Sequence, residues 1–260
     1  MADPSPVLVE TRGRIRIVTI NRPEVRNAVN PPTADILRDT FIAFADDDAV
    51  DVAVFTGAEG AFCAGYDLKA FSGSKGDIPY EPEGVGPMGP SRLLLDKPVI
   101  AAVEGPAVAG GLELALWCDL RVAAEDAFFG VYCRRWGVPL IDGGTVRLPR
   151  LIGHSRAMDM ILTGRPVRGR EALEFGLANR LVPKGAALEA AVALAEELTR
   201  FPQLCMQADR MSAIRQWDLS IEDALRYEGR EGVAPLEREA LAGAGRFAGG
   251  KGRSGAFDDI

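Results

Sequence analysis

The chain has 260 residues, 47% of them hydrophobic and 26% charged, a globular composition that excludes a disordered chain, a collagen-like repeat and a coiled coil. Its 37 acidic and 30 basic side chains leave a net charge of −7, so no global basic field exists to attract nucleic acid or an anionic membrane. Four cysteines (Cys63, Cys118, Cys133, Cys205) form no CxxC and are too sparse for a disulfide framework, and the polar start has no apolar signal core; a reducing, cytoplasmic setting is expected.

In chain order, Val7 to Ile20 alternates around Gly13 and predicts a hairpin. Residues 32–48 place Ile36, Leu37, Phe41 and Phe44 at helical spacing, closed by an acidic run. Residues 52–56 read as a short buried strand, and the Gly- and Pro-rich residues 71–91 as a surface loop. The apolar stretch from Pro98 to Cys118 contains Glu104, Pro106 and Glu113, which argues against a membrane span. It divides instead into a strand over 99–103, a turn and a helix over 110–117, followed by a strand over 120–123. From residue 144 the periodicity turns helical, and the tail from Gly243 is Gly-rich and would not be stable alone. Strands alternating with helices predict an α/β layer structure, with a helical appendage from about Ala186.

Two motif matches fail on context. Gly84-Val85-Gly86-Pro87-Met88-Gly89 fits G-x-G-x-x-G, but no strand precedes it and no helix follows. Gly153-His154-Ser155-Arg156-Ala157 falls one residue short of a nucleophile elbow, and His154, the chain's one histidine, is the immediate neighbour of its serine. A lone histidine also leaves no Cys/His cluster for zinc, so no metal is expected.

Two glycine-containing turns follow the buried strands: Gly60 to Leu68, and Glu104 to Leu114. Small residues at such turns let backbone N–H groups face a cavity unobstructed, and the second turn runs into a helix start. Two such donors aimed at one point would form an oxyanion hole; small residues kept for packing alone are the other explanation.

These turns belong to an ordered set: Asn21-Arg22-Pro23-Glu24-Val25-Arg26-Asn27-Ala28, Ala61-Phe62-Cys63-Ala64-Gly65-Tyr66-Asp67-Leu68, Pro98 to Gly105, Gly110-Gly111-Leu112-Glu113-Leu114-Ala115, Cys118-Asp119, Gly143-Gly144-Thr145, Leu162-Thr163-Gly164 and Glu171 to Leu177. In order and spacing the set resembles the crotonase (enoyl-CoA hydratase/isomerase) family over residues 7–250. The resemblance implies an α/β fold, a spiral of ββα turns with a C-terminal helical trimerisation region. The expected division is a core of 1–185 and a helical oligomerisation region of 186–260, assembled as a homo-trimer or hexamer. The implied partner is an acyl-CoA thioester, with no nucleic acid and no membrane. No cofactor is expected, because coenzyme A enters as part of the substrate.

By the same resemblance, the Tyr66 and Gly110 amides hold the thioester oxygen. Arg26 and Ala28 contact the CoA, Ala64, Asp67 and Leu68 line the tunnel, and Phe247 lies close to the CoA. Glu113 matches the first of two catalytic glutamates. Twenty residues further on stands Cys133, where the family's hydratases carry the second. Asp142 stands one residue from the aspartate of some relatives, dienoyl-CoA isomerases and a dehalogenase among them. It is a candidate partner for Glu113, or else the N-cap of a helix starting near Gly143. Cys133 is a candidate proton donor, or else a buried small hydrophobe. The expected activity is hydration of a 2-enoyl-CoA, a hydro-lyase reaction. Enoyl-CoA isomerisation or another crotonase-type reaction is the alternative, because of Cys133, and a non-catalytic CoA-ester-binding protein is another.

Overall fold

A glycine at φ +57° (Gly13) reverses the chain between strands β1 (Val7–Arg12) and β2 (Ile15–Ile20), which pair antiparallel as the alternation predicts. The computed structural model describes residues 5–73 and 80–252. Helix α1 (Pro31–Asp46) starts where the Asn30 side chain accepts the Thr33 amide at 3.1 Å and Pro31 occupies the first turn. It buries Ala34, Leu37, Phe41 and Phe44. Strand β3 (Val52–Gly57) follows, then helix α2 (Leu68–Gly73).

β4 (Val99–Val103) leads through β5 (Pro106–Val108) into α3 (Gly110–Trp117), the helix expected at those residues, and on to β6 (Leu120–Ala124) and β7 (Phe128–Gly130). Next come α4 (Gly144–Ile152), α5 (His154–Thr163), β8 (Val167–Arg168), α6 (Gly169–Phe175), β9 (Arg180–Val182) and α7 (Ala187–Thr199). Six strands form one sheet in the order β1-β2-β3-β4-β6-β9, parallel beyond the first pair, and β5-β7-β8 form a second, smaller sheet. β3 and β4 are covered on both faces, so they read as apolar runs rather than alternations. Behind them Phe41, Phe55, Phe62 and Trp117 meet edge to face at 4.8–5.5 Å.

The Pro98–Cys118 stretch is thus two strands and a short helix, and among the described residues no helix is long and apolar enough to cross a membrane. His154 opens α5, exposed beside an exposed Ser155, so no nucleophile elbow forms.

The chain divides into compact units Met1–Ala195 and Glu196–Ile260, which places the boundary inside α7 rather than after residue 185. The reason is local: Ala187, Ala191, Val192, Leu194 and Ala195 are buried, and the Ala187 amide donates to Glu104 Oε1 at 3.0 Å. In the second unit, α8 (Gln203–Arg215) and α9 (Ile221–Glu231) follow. Helical structure then continues through Val233–Pro235, a π-helical turn Leu236–Ala240 and Leu241–Ala248, so the first residues of the Gly-rich tail from Gly243 are helical.

Candidate active site

The loop at the end of β2 is pinned from within. Asn27, fully buried, donates to the carbonyls of Ala58 and Ala61 at 2.9 and 2.6 Å and accepts the Arg22 amide at 2.9 Å. Arg26 and Asn27 both take left-handed φ, which turns the exposed Arg26 toward the cavity described below.

The two glycine turns are zipped together. Cys63 bridges Ala107, its amide donating to Pro106 O at 2.9 Å and its carbonyl accepting the Val108 amide at 3.1 Å. Gly65, at φ +98°, lies so close to the second turn that a Cβ there would stand 3.1 Å from the Gly110 nitrogen. Ala109 holds a strained left-handed φ of +53°, which opens α3 with Gly110 at its first position. Among the described residues, neither the Tyr66 nor the Gly110 amide has a protein acceptor, and both residues line one cavity of about 550 Å³.

Glu113 stands three residues beyond Gly110, on the same face of the first turn of α3. It is 2% exposed, and its Oε1 accepts the amides of Asp142 and Gly144, each at 2.8 Å. Burial, then the Asp142 charge, pushes its carboxyl up to about 7 against the pull of those amides. Asp142 is equally buried. One of its oxygens accepts Ser91 Oγ and the Met88 amide, the latter at 3.1 Å. Burial raises its carboxyl too, and the Ser91 and Met88 donors oppose the rise. Helix α4 begins after Gly143 with no side-chain cap, so Asp142 is not its N-cap. The Cys133 thiol lies in the same cavity wall and is pushed up by burial and by the Glu113 charge; it is a neutral thiol at neutral pH.

A clamp that the sequence did not reveal holds the Asp142 segment. Arg147 donates to the carbonyls of Asp142 (3.0 Å) and Ser91 (2.7 Å), and Arg92 donates to those of Ile141 (2.9 Å) and Gly84 (2.7 Å). Gly86, Met88, Gly89, Pro90 and Ser91 are buried, so this part of the expected surface loop over 71–91 is a packed wall; residues 74–79 of it lie outside the described residues. Gly86 abuts Asp142 and Ser91, which accounts for the middle glycine of the spurious dinucleotide motif.

Of the site residues expected from sequence, Arg26, Ala64, Tyr66, Leu68, Gly110, Glu113, Cys133 and Asp142 line the cavity. Ala28 and Asp67 do not. Ala28 is buried, with its carbonyl taken by Arg22. Asp67 accepts the Lys69 and Ala70 amides (3.2 and 3.1 Å), capping α2, and pairs with Arg22 at 3.0 Å. Burial pushes the Asp67 carboxyl up, but the Ala70 amide and Arg22 outweigh it and hold it below its ordinary value. Asp67→Ala is therefore expected to lower stability by about 1–2 kcal/mol, the loss of a cap, read as a reduced Tm. That difference is present above the unfolded-state pKa of 3.8 and fades as pH falls through the lower folded value. Phe247 lies in the second unit, 63% exposed.

Residues 10–231 match the family model described as Enoyl-CoA hydratase/isomerase. The chain is 38% identical over 247 residues to "Enoyl-CoA hydratase EchA19" of Mycobacterium tuberculosis, covering 93% of this chain and 92% of that protein. It is 35% identical over 228 residues to "(E)-benzylidenesuccinyl-CoA hydratase" of Thauera aromatica, covering 85% and 87% of the two chains. A crystal structure of an enoyl-CoA hydratase from Mycobacterium tuberculosis H37Rv superposes with a TM-score of 0.88 at 40% identity, covering 94% of this chain and 96% of that one. The order of the motifs, the paired sheets that bring the two glycine turns together and these likenesses agree: the chain belongs to the enoyl-CoA hydratase/isomerase (crotonase) family and is an acyl-CoA enzyme of the crotonase type.

Proposed function

We propose that the protein hydrates a 2-enoyl-CoA. The observation that carries this reading is a pair of buried carboxylates, Glu113 and Asp142, in the wall of the cavity also lined by Tyr66 and Gly110, whose amides have no acceptor among the described residues. The thioester oxygen sits between the Tyr66 and Gly110 N–H groups, where fixed dipoles stabilise the charge that grows as the enolate forms. Burial, and then the neighbouring Asp142 charge, favours the protonated form of Glu113. Asp142 takes a proton from water as the water oxygen bonds to Cβ; Glu113 then gives its proton to Cα, and the thioester carbonyl is restored. Exposed Arg26, at the cavity edge, suits the CoA phosphates. The chemistry asks only for the chain's own groups.

Asp142→Ala is expected to lower the hydration kcat by about 10²–10³. Loss of the conjugated thioester absorbance of crotonyl-CoA measures this, with the product identified by mass spectrometry. Asp142→Asn is less telling because it keeps the contacts to Ser91 and Met88. A second reading, double-bond isomerisation, draws on the fixed position of Asp142 between Ser91 and Met88, which leaves Glu113 alone to carry a proton along the acyl chain. A shifted alkene that survives Asp142→Ala would select it. Binding of acyl-CoA with no turnover would defeat both.

Assembly as a homo-trimer or hexamer is supported by the side chains the second unit leaves open, Ile221 at 82% and Leu241 at 84% exposed. The four free cysteines support a cytoplasmic setting.

A further inference from the structure

The wall beyond Cys133 is built of rings. The short 3-10 turn Tyr132–Trp136 carries Cys133 beside Glu113, and the residues that open and close it, Tyr132 and Trp136, both line the cavity. Phe128 also lines it, with its ring centroid 6.1 Å from that of Tyr132 and the planes 34° apart. Arginines hold both rings in place: Arg168 lies 4.3 Å over Phe128, and Arg135 lies 4.4 Å over Tyr132. Trp136 is 69% exposed although it faces the cavity, an apolar surface that a ligand would cover. Aromatic residues make up only 7% of the sequence, so their concentration here exceeds what composition supplies.

Position says which part of a substrate meets these rings. With the thioester oxygen at the Tyr66 and Gly110 amides, Cα and Cβ come to Glu113. A substituent on Cβ then runs past Cys133 onto the turn that bears Tyr132 and Trp136. A flexible alkyl chain would lose rotor freedom against such a wall, whereas a rigid ring loses little and gains offset or edge-to-face contact.

We propose that the cavity selects acyl-CoA thioesters whose Cβ carries an aromatic ring, with Tyr132 and Trp136 as the specificity-determining residues. The proposal rests on the thioester reading above and concerns only the acyl end.

The test is calorimetric binding of phenylpropanoyl-CoA and of nonanoyl-CoA, which has the same number of acyl carbons. Both are saturated, so binding is read apart from hydration, and both carry the same CoA, so their affinity ratio isolates the acyl group. The aryl thioester is expected to bind at least about tenfold more tightly. Trp136→Leu, at an exposed position, and Tyr132→Leu are each expected to bring that ratio close to one, with thermal melting confirming the fold of both variants. Equal or tighter binding of nonanoyl-CoA overturns the proposal. So does a ratio that survives Trp136→Leu while both affinities fall together, because the rings would then be meeting the CoA moiety. Failure of both thioesters to bind removes the thioester reading itself, and the proposal with it.

Discussion

Glu113→Gln is expected to lower the hydration kcat by about 10²–10⁴ while raising the thermal stability of the protein above neutral pH. The two effects have one cause. Glutamine keeps an oxygen for the Asp142 and Gly144 amides, so the local geometry persists while the transferable proton is lost. For stability, the Glu113 carboxyl stands at about 7 in the folded protein against 4.5 as its ordinary value. Between those values the folded state holds a proton that the unfolded chain gives up, so stability declines as pH rises through the window and is level beyond it. A rise of that size corresponds to a few kcal/mol, on the order of 3, that the wild type lacks above about pH 8 and the glutamine variant recovers. Melting curves at acid and alkaline pH measure it: the variant's advantage should vanish toward the acid end. Hydration by the wild type should also weaken as pH rises through about 7, because the acid form of Glu113 is the one that protonates Cα.

Gly65→Ala is the second variant with a large expected effect. A methyl group there would stand 3.1 Å from the Gly110 nitrogen and 2.9 Å from the Ala109 Cβ, in the space the thioester oxygen needs. Losing one oxyanion donor corresponds to about 10²–10³ in kcat. The φ of +98° adds backbone strain of about 1–2 kcal/mol. Gly13→Ala is the control that separates the two: it sits at φ +57° with open space around it, in the β1–β2 turn. It should lower Tm by a comparable step and leave turnover alone. Equal activity loss in both variants would count against the oxyanion assignment of the Tyr66 and Gly110 amides.

Much of this was legible in the sequence because each signal was local. The hairpin around Gly13, the apolar spacing of Leu37, Phe41 and Phe44, and the entry of Gly110 into a helix bearing Glu113 each depend on residues within a few positions of one another. Strands β5, β7 and β8, of three, three and two residues, are too short to show a period, so the second sheet was invisible. The same holds for the clamp on Asp142. Ser91 and Asp142 lie 51 positions apart, and Arg92 to Ile141 spans 49, so only the fold brings them together. Asp67 differs for another reason: the family resemblance assigned it to the tunnel lining by motif position, which does not show that its carboxylate is engaged by the start of α2 and by Arg22. The helix over Leu241–Ala248 was not legible because glycines lower helix propensity without forbidding a helix, and Gly243 and Gly245 lie within one.

The amide that Asp142 presents to Glu113 has a wider consequence. Both acids depend on a single peptide unit, which orients one carboxylate through its nitrogen and carries the other on its α-carbon. They are therefore not independent characters: a change that displaces either one disturbs its companion. A side-chain exchange that leaves the main chain in place spares this link, whereas a backbone shift at Asp142 moves both acids at once.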